Sequence, residues 1–88
     1  MPEYVYFIKR DGLIKIGWTT NIRSRMKALR PDEVLHVQPG TQKDEAALHR
    51  AFRHLRVGTE TGGRRLREWF QPGDDLVAYI ELRRQLAA

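Results

Sequence analysis

The chain has 88 residues and a formal net charge of +5, a length that supports one hydrophobic core and not two, so a single domain spanning 1–88 is expected. Hydrophobic residues at 41% and charged residues at 31% match ordinary globular usage and exclude a disordered chain. Cysteine is absent, which excludes disulfides, thiolate metal sites and a cysteine nucleophile and leaves only oxygen or imidazole to hold a metal.

The first apolar run, residues 4–8 (YVYFI), is too short for a signal-peptide core or a membrane span, so a cytoplasmic protein without membrane attachment is expected. That run and residues 13–17 (LIKIG) are β-branched and aromatic, and Asp11-Gly12 between them is a strong hairpin-turn signal. With a two-residue loop, Ile8 falls opposite Lys15 and Tyr6 opposite Gly17. Tyr4, Tyr6, Ile8 and Lys15 then share one face, and Val5, Phe7, Ile14, Ile16 and Trp18 the other.

Thr19-Thr20-Asn21 offers N-caps for a short amphipathic helix with Ile22, Met26 and Leu29 at helical spacing, ended by Pro31. Residues 34–37 (VLHV) read as a third strand. Thr41 or Asp44 caps a helix predicted over 42–56, with Leu48, Ala51, Phe52 and Leu55 as its apolar stripe. Residues 57–63 (VGTETGG) are flexible by composition and merge into Arg64-Arg65-Leu66-Arg67, which predicts a mobile basic loop. Trp69 and Phe70 read as an anchor for a last helix over 72–86, with Leu76, Ile80 and Leu82 turned inward; the alternative is that they stack on bases. The expected fold is a small α/β (α+β) domain: a three-stranded, mainly antiparallel sheet with an N-terminal hairpin, flanked by about three helices.

Between residues 50 and 67 stand six arginines, Arg50, Arg53, Arg56, Arg64, Arg65 and Arg67, against the single acid Glu60, so this stretch carries the whole net charge of +5. Planar guanidinium groups form paired hydrogen bonds to phosphate, and the stripe reads as a polyanion-binding track; the plain alternative is a solvated face. Glu45 extends the Leu48–Phe52 stripe one turn towards the helix start, which points a carboxylate at the sheet. A carboxylate there needs a cation, a metal or hydrogen bonds, or else it simply favours the positive helix terminus. His49 follows at i+4 on nearly the same line. His36 and His54 read as packing or surface residues.

Tyr4-Val5-Tyr6, Lys15-Ile16-Gly17 and Arg25 in the next helix, followed by Glu45-x-x-Leu48-His49-x-x-Phe52 and Glu68-Trp69-Phe70, resemble the GIY-YIG endonuclease superfamily. The likeness is to its divergent phage and bacterial branch, whose second motif reads KIG and which carries an E-x-x-L-H-x-x-F and E-W-F signature. The resemblance covers residues 4–70 and implies phosphodiester hydrolysis with one divalent cation, Mg²⁺ or Mn²⁺, held by Glu45. Tyr6 aligns with the tyrosine that positions or deprotonates the attacking water, and Arg25 with the arginine that stabilises charge on the phosphate. His49 reads as a proton relay or as a partner to Glu45.

Two residues depart from the superfamily pattern: Tyr4 replaces the first glycine, and Lys15 the second tyrosine. The hairpin register sets Lys15 diagonal to Tyr6, where an ammonium favours the phenolate that a general base requires; Lys15 can equally contact phosphate, or mark a site that binds without cutting. The expected function is therefore a metal-dependent nuclease acting on nucleic acid, DNA in preference. The alternatives are a catalytically degenerate nucleic-acid-binding module, or an adaptor that docks an acidic protein through its arginines. Low sequence specificity is expected of the chain alone, with a dimer or a larger complex as the other route to selectivity.

Overall fold

A computed structural model describes residues 2–57 and 69–88. Its elements are β1 (Tyr4–Arg10), β2 (Leu13–Thr19), α1 (Ile22–Leu29), β3 (Glu33–Pro39), α2 (Gln42–Ala51), β4 (Trp69–Phe70) and α3 (Asp74–Ala87). The strands form one antiparallel sheet in the order β3-β1-β2-β4. The hairpin register is the expected one, with Ile8 opposite Lys15 and Tyr6 opposite Gly17. It is set by a turn in which Asp11 and Gly12 both take positive φ, 53° and 79°, the pair of left-handed residues that matches the twist of the flanking strands.

Strand alternation sorts the sheet into two faces. Val5, Phe7, Ile14, Ile16 and Phe70 point to one side and pack with Phe52, Leu76 and Ile80 into the core, each contributing on the order of 1.5–3 kcal/mol by burial. This is the side covered by α2 and α3. On the other side Tyr6, Ile8, Lys15 and Thr19 are also buried. There α1 is tied down at both ends: Arg10 Nη1 donates to the Leu29 carbonyl at 2.9 Å, and the Asn21 N–H donates to Thr19 Oγ1 at 3.0 Å. The cap of α1 is Asn21, which accepts from the Ser24 N–H.

Several boundaries differ from the expected ones. The sheet gains a fourth strand, because the Trp69-Phe70 anchor pairs with Lys15 and Ile14. The predicted 42–56 helix stops at Ala51 and is followed by a 3₁₀ turn, Arg53–Leu55. Pairing explains the early stop. Arg56 bridges Phe70, the Val57 N–H donates to the Trp69 carbonyl at 3.0 Å, and the Gln71 N–H to the Leu55 carbonyl at 2.7 Å, so residues 55–57 are drawn out of the helix to flank β4. In α3, Leu76 and Ile80 are buried as expected, but Leu82 is 53% exposed. The inward stripe continues instead through Tyr79 and Arg83, which hydrogen-bond Gln38 of β3. The expected basic loop over 57–63 and Arg64–Arg67 lies, apart from Val57, outside the described residues.

Candidate active site

Gly17 opens the geometry. A Cβ at this position would collide with the Cζ and hydroxyl of Tyr6 and come within 2.8 Å of its Cε1. The Tyr6 ring therefore leans from β1 across its cross-strand partner and brings its hydroxyl above β2. Only a residue without a side chain permits this. Tyr6 is 1% exposed, far more enclosed than the half-buried strand tyrosine that strand alternation alone suggests. Lys15, diagonal to it on the same face, is 8% exposed, with Nζ 5.6 Å from the centroid of the Trp69 ring. Tyr6 and Lys15 both make polar or ring contacts in the fold.

Beyond β4, which pairs only with Ile14 and Lys15, the outer side of β2 has no strand neighbour among the described residues. The alternation of bonded and non-bonded pairs in the hairpin turns the Ile16 carbonyl towards that side. His49 of α2 meets it there, Nε2 lying 2.8 Å from the oxygen. The carbonyl can only accept, so the imidazole donates through Nε2, and its neutral tautomer is fixed accordingly. The other flank of the His49 ring lies edge-on to Phe70, with centroids 5.2 Å apart.

The helix runs antiparallel to β2. It starts beside Val5, against which a Cβ on Gly40 would press at 2.9 Å from Cγ2, and ends with Phe52 in the core. Four residues of helix rise about 6 Å, close to two residues of strand. Glu45, half-buried one turn before His49, thus stands at the level of Gly17-Trp18, along the strand above which the Tyr6 hydroxyl lies. The N-terminus of α2 is held by a reciprocal capping box: the Asp44 N–H donates to Thr41 Oγ1 at 3.3 Å, and the Thr41 N–H to Asp44 Oδ2 at 2.8 Å. Asp44 is engaged there, and Glu45 too has an interaction partner in the fold.

Arg25 is exposed on α1 and lines a groove with Thr19, Thr20, Asn21 and Ser24. Thr19 carries that groove onto the Tyr6 face, two residues past Gly17. The candidate residues therefore lie on two sides of the sheet, Tyr6 and Lys15 on the face that α1 covers, Arg25 on α1 itself, and Glu45 and His49 on α2. Arg50, Arg53 and Arg56 are exposed around the end of α2, and Arg64, Arg65 and Arg67 lie outside the described residues, as does Glu68. His36 stacks on Phe7, with centroids 6.1 Å apart, and His54 pairs with Asp75 at 2.8 Å on the surface.

Among the described residues no group of three or more His, Asp or Glu side chains could form a metal cage. The donor set suits Mg²⁺ or Mn²⁺ nonetheless. Mg²⁺ keeps several of its waters and is commonly held by one or two carboxylates plus substrate phosphate, and Glu45 supplies one hard oxygen donor at the sheet edge. No described helix is long and apolar enough to cross a membrane.

One basic surface is absent from the reading of the sequence. Arg23, Arg25, Lys27 and Arg30 give 23–30 a charge of +4 with no acid, and among the described residues none of these four side chains has an ion-pair partner. A local charge sum over α1 would have found it; a sum over everything outside 50–67 cancels it to zero.

Searches of curated proteins and of solved structures return no significant match. Residues 3–86 match the family model of the T5orf172 domain, a span that takes in the hairpin, both helices around the site and nearly all of α3. The chain therefore belongs to the T5orf172 domain family, a GIY-YIG-related domain.

Proposed function

We propose that this domain is a metal-dependent nuclease that hydrolyses phosphodiester bonds, with DNA as its substrate. The observation that carries this reading is the Tyr6 ring laid over Gly17, its hydroxyl above β2 on the stretch that α2 passes with Glu45. In this reading the Tyr6 hydroxyl orients or deprotonates the attacking water, and Lys15 stands diagonal to it on the same face of the hairpin. Arg25 stabilises charge on the phosphate from the groove at Thr19. Glu45 holds one divalent cation, Mg²⁺ or Mn²⁺, whose contribution is Lewis-acid polarisation of the phosphate. His49 holds α2 against the edge by its bond to Ile16, which sets the height of Glu45 along the strand. The exposed cations of α1 and of the end of α2 attract the nucleic-acid backbone.

The test is incubation of the purified protein with single-stranded, duplex and structured DNA and with RNA, in Mg²⁺, in Mn²⁺ and in EDTA. Cleavage is expected with metal, is abolished by EDTA, and falls at least a hundredfold in Glu45→Ala and Tyr6→Phe. Wild-type rates in Glu45→Ala would sink the mechanism. A second reading, a module that binds nucleic acid without cutting it, is favoured by one observation: Lys15 stands where the superfamily has its second tyrosine. It predicts steeply salt-dependent binding and no metal-dependent product in the same panel.

A further inference from the structure

The face that carries Tyr6 continues past Lys15 towards the hairpin tip. Arg10 and Leu13 face each other across the turn, and Trp69 stands opposite Lys15 on β4, so by strand alternation all of these lie on one side. Arg10, Asp11, Leu13 and Trp69 line an open cavity of about 170 Å³. The two residues of β4 divide their work: Phe70 is 0% exposed and fills the core, whereas Trp69 is only half-buried and turns its indole towards this cavity. The Lys15 ammonium against that ring is a cation–π contact that holds the indole in place. Arg10 is pinned by the Leu29 carbonyl, which orders its guanidinium and leaves further N–H groups of the planar fork for an acceptor.

We propose that this cavity is a stacking subsite for one unpaired base of a single-stranded nucleic acid, with Trp69 as the platform, Leu13 as the apolar wall and Arg10 as the contact to the adjoining phosphate. The proposal rests on the nucleic-acid reading above and names the substrate class of the same site. A base inside a duplex has no free face for an indole, and exposing one requires unstacking; a single strand offers its bases directly. Asp11 repels phosphate from the turn and so orients the strand with its base, not its backbone, towards the cavity mouth. One strand spacing and two residues along β2 separate Trp69 from Gly17, roughly 8 Å, the reach of a nucleotide or two. A base seated on Trp69 thereby fixes which phosphodiester lies over Tyr6.

The experiment uses the full chain carrying Trp18→Phe, which leaves Trp69 as the only indole, in EDTA so that binding is read without cleavage. Oligothymidylate, oligouridylate, an abasic strand of the same length and a duplex are titrated, with anisotropy of a labelled strand measuring affinity and Trp69 fluorescence measuring stacking. Quenching by the base-containing strands, at the midpoint given by anisotropy, is expected, with none from the abasic strand or the duplex. Oligothymidylate and oligouridylate together separate a DNA from an RNA substrate. Trp69→Ala is expected to weaken single-strand binding about tenfold, and Trp69→Phe, which keeps a ring and β4, to retain most of it. Anisotropy-detected single-strand binding without quenching overturns the subsite while leaving the nuclease reading intact. Quenching without metal-dependent cleavage does the reverse, and the absence of any binding overturns both.

Discussion

Gly17→Ala tests the placement of Tyr6 most directly. The new methyl group would overlap the Cζ and hydroxyl of a tyrosine that is 1% exposed, and the ring must rotate or the hairpin must shift. Overpacking of this kind costs about 1–3 kcal/mol, offset by the roughly 0.5–1 kcal/mol that alanine recovers over glycine in a strand. A net loss of up to about 2.5 kcal/mol follows, about 1 kcal/mol at the middle of both ranges, which is a fall in Tm of roughly 4–8 °C for a domain of this size. Cleavage should suffer more than stability, because a displacement of about 1 Å at a reacting group costs on the order of a hundredfold in rate. Cleavage is assayed in Gly17→Ala, and thermal denaturation of Gly17→Ala, Tyr6→Leu and the double variant completes the cycle; the methyl group should be neutral to slightly stabilising in the Tyr6→Leu background. If Gly17→Ala costs the same with and without the tyrosine, the ring does not lie over Gly17 and the site built on that contact is wrong.

Thr41→Ala removes half of the capping box and should lower stability by about 1 kcal/mol; since α2 carries Glu45 and His49, cleavage should fall at temperatures where the fold is still intact, which a rate-against-temperature series would show. The pKa of His36 lies below its usual value because of burial, with the charges of Arg83 and Arg84 adding to the effect and the Gln38 hydrogen bond opposing it. The neutral imidazole thus contributes stability that is complete above the unfolded value of about 6.5 and is lost as pH falls through the depressed folded value. Tm measured from pH 7.5 down to 5 should drop more steeply for wild type than for His36→Phe, and parallel curves would contradict this. Removing Arg23 and Lys27 together from α1 should flatten the dependence of log K on log salt by about 0.7–0.9 per charge, read by anisotropy over a salt series; an unchanged slope would take α1 out of the binding surface.

The hairpin was fully legible in the sequence because Asp11-Gly12 leaves one low-energy register, and that register alone placed Tyr6 with Lys15 and against Gly17. The reach of the Tyr6 ring across the strand was not legible, since alternation gives a side chain's face and not its lean. The end of α2 was misplaced for a physical reason: Leu55 continues the helical stripe perfectly well, and only the demand of β4 for a partner at 55–57 pulls it out of register. A two-residue strand has no periodicity to detect, so Trp69 and Phe70 looked like a single anchor although they face opposite sides of the sheet. The Glu45–Leu48–Phe52 stripe correctly turned α2 towards the sheet, but the contact of His49 with a backbone carbonyl leaves no pattern in side-chain spacing. The α1 cations were visible and were lost in averaging.

The flank of β2 beyond β4, which has no strand neighbour among the described residues, carries a risk as well as an opportunity. Unpaired N–H and C=O groups along a strand are a template on which another chain can add, and sheets that end this way tend to aggregate or to exchange strands. Here α2 stands guard, with the His49 imidazole occupying the carbonyl of Ile16 that an incoming strand would use first. An edge that is to meet a substrate must stay accessible to it and closed to copies of the same chain, and the His49 hydrogen bond withdraws one acceptor from that template. Loss of His49 would therefore be felt as self-association of the folded protein, apart from any effect it has through Glu45.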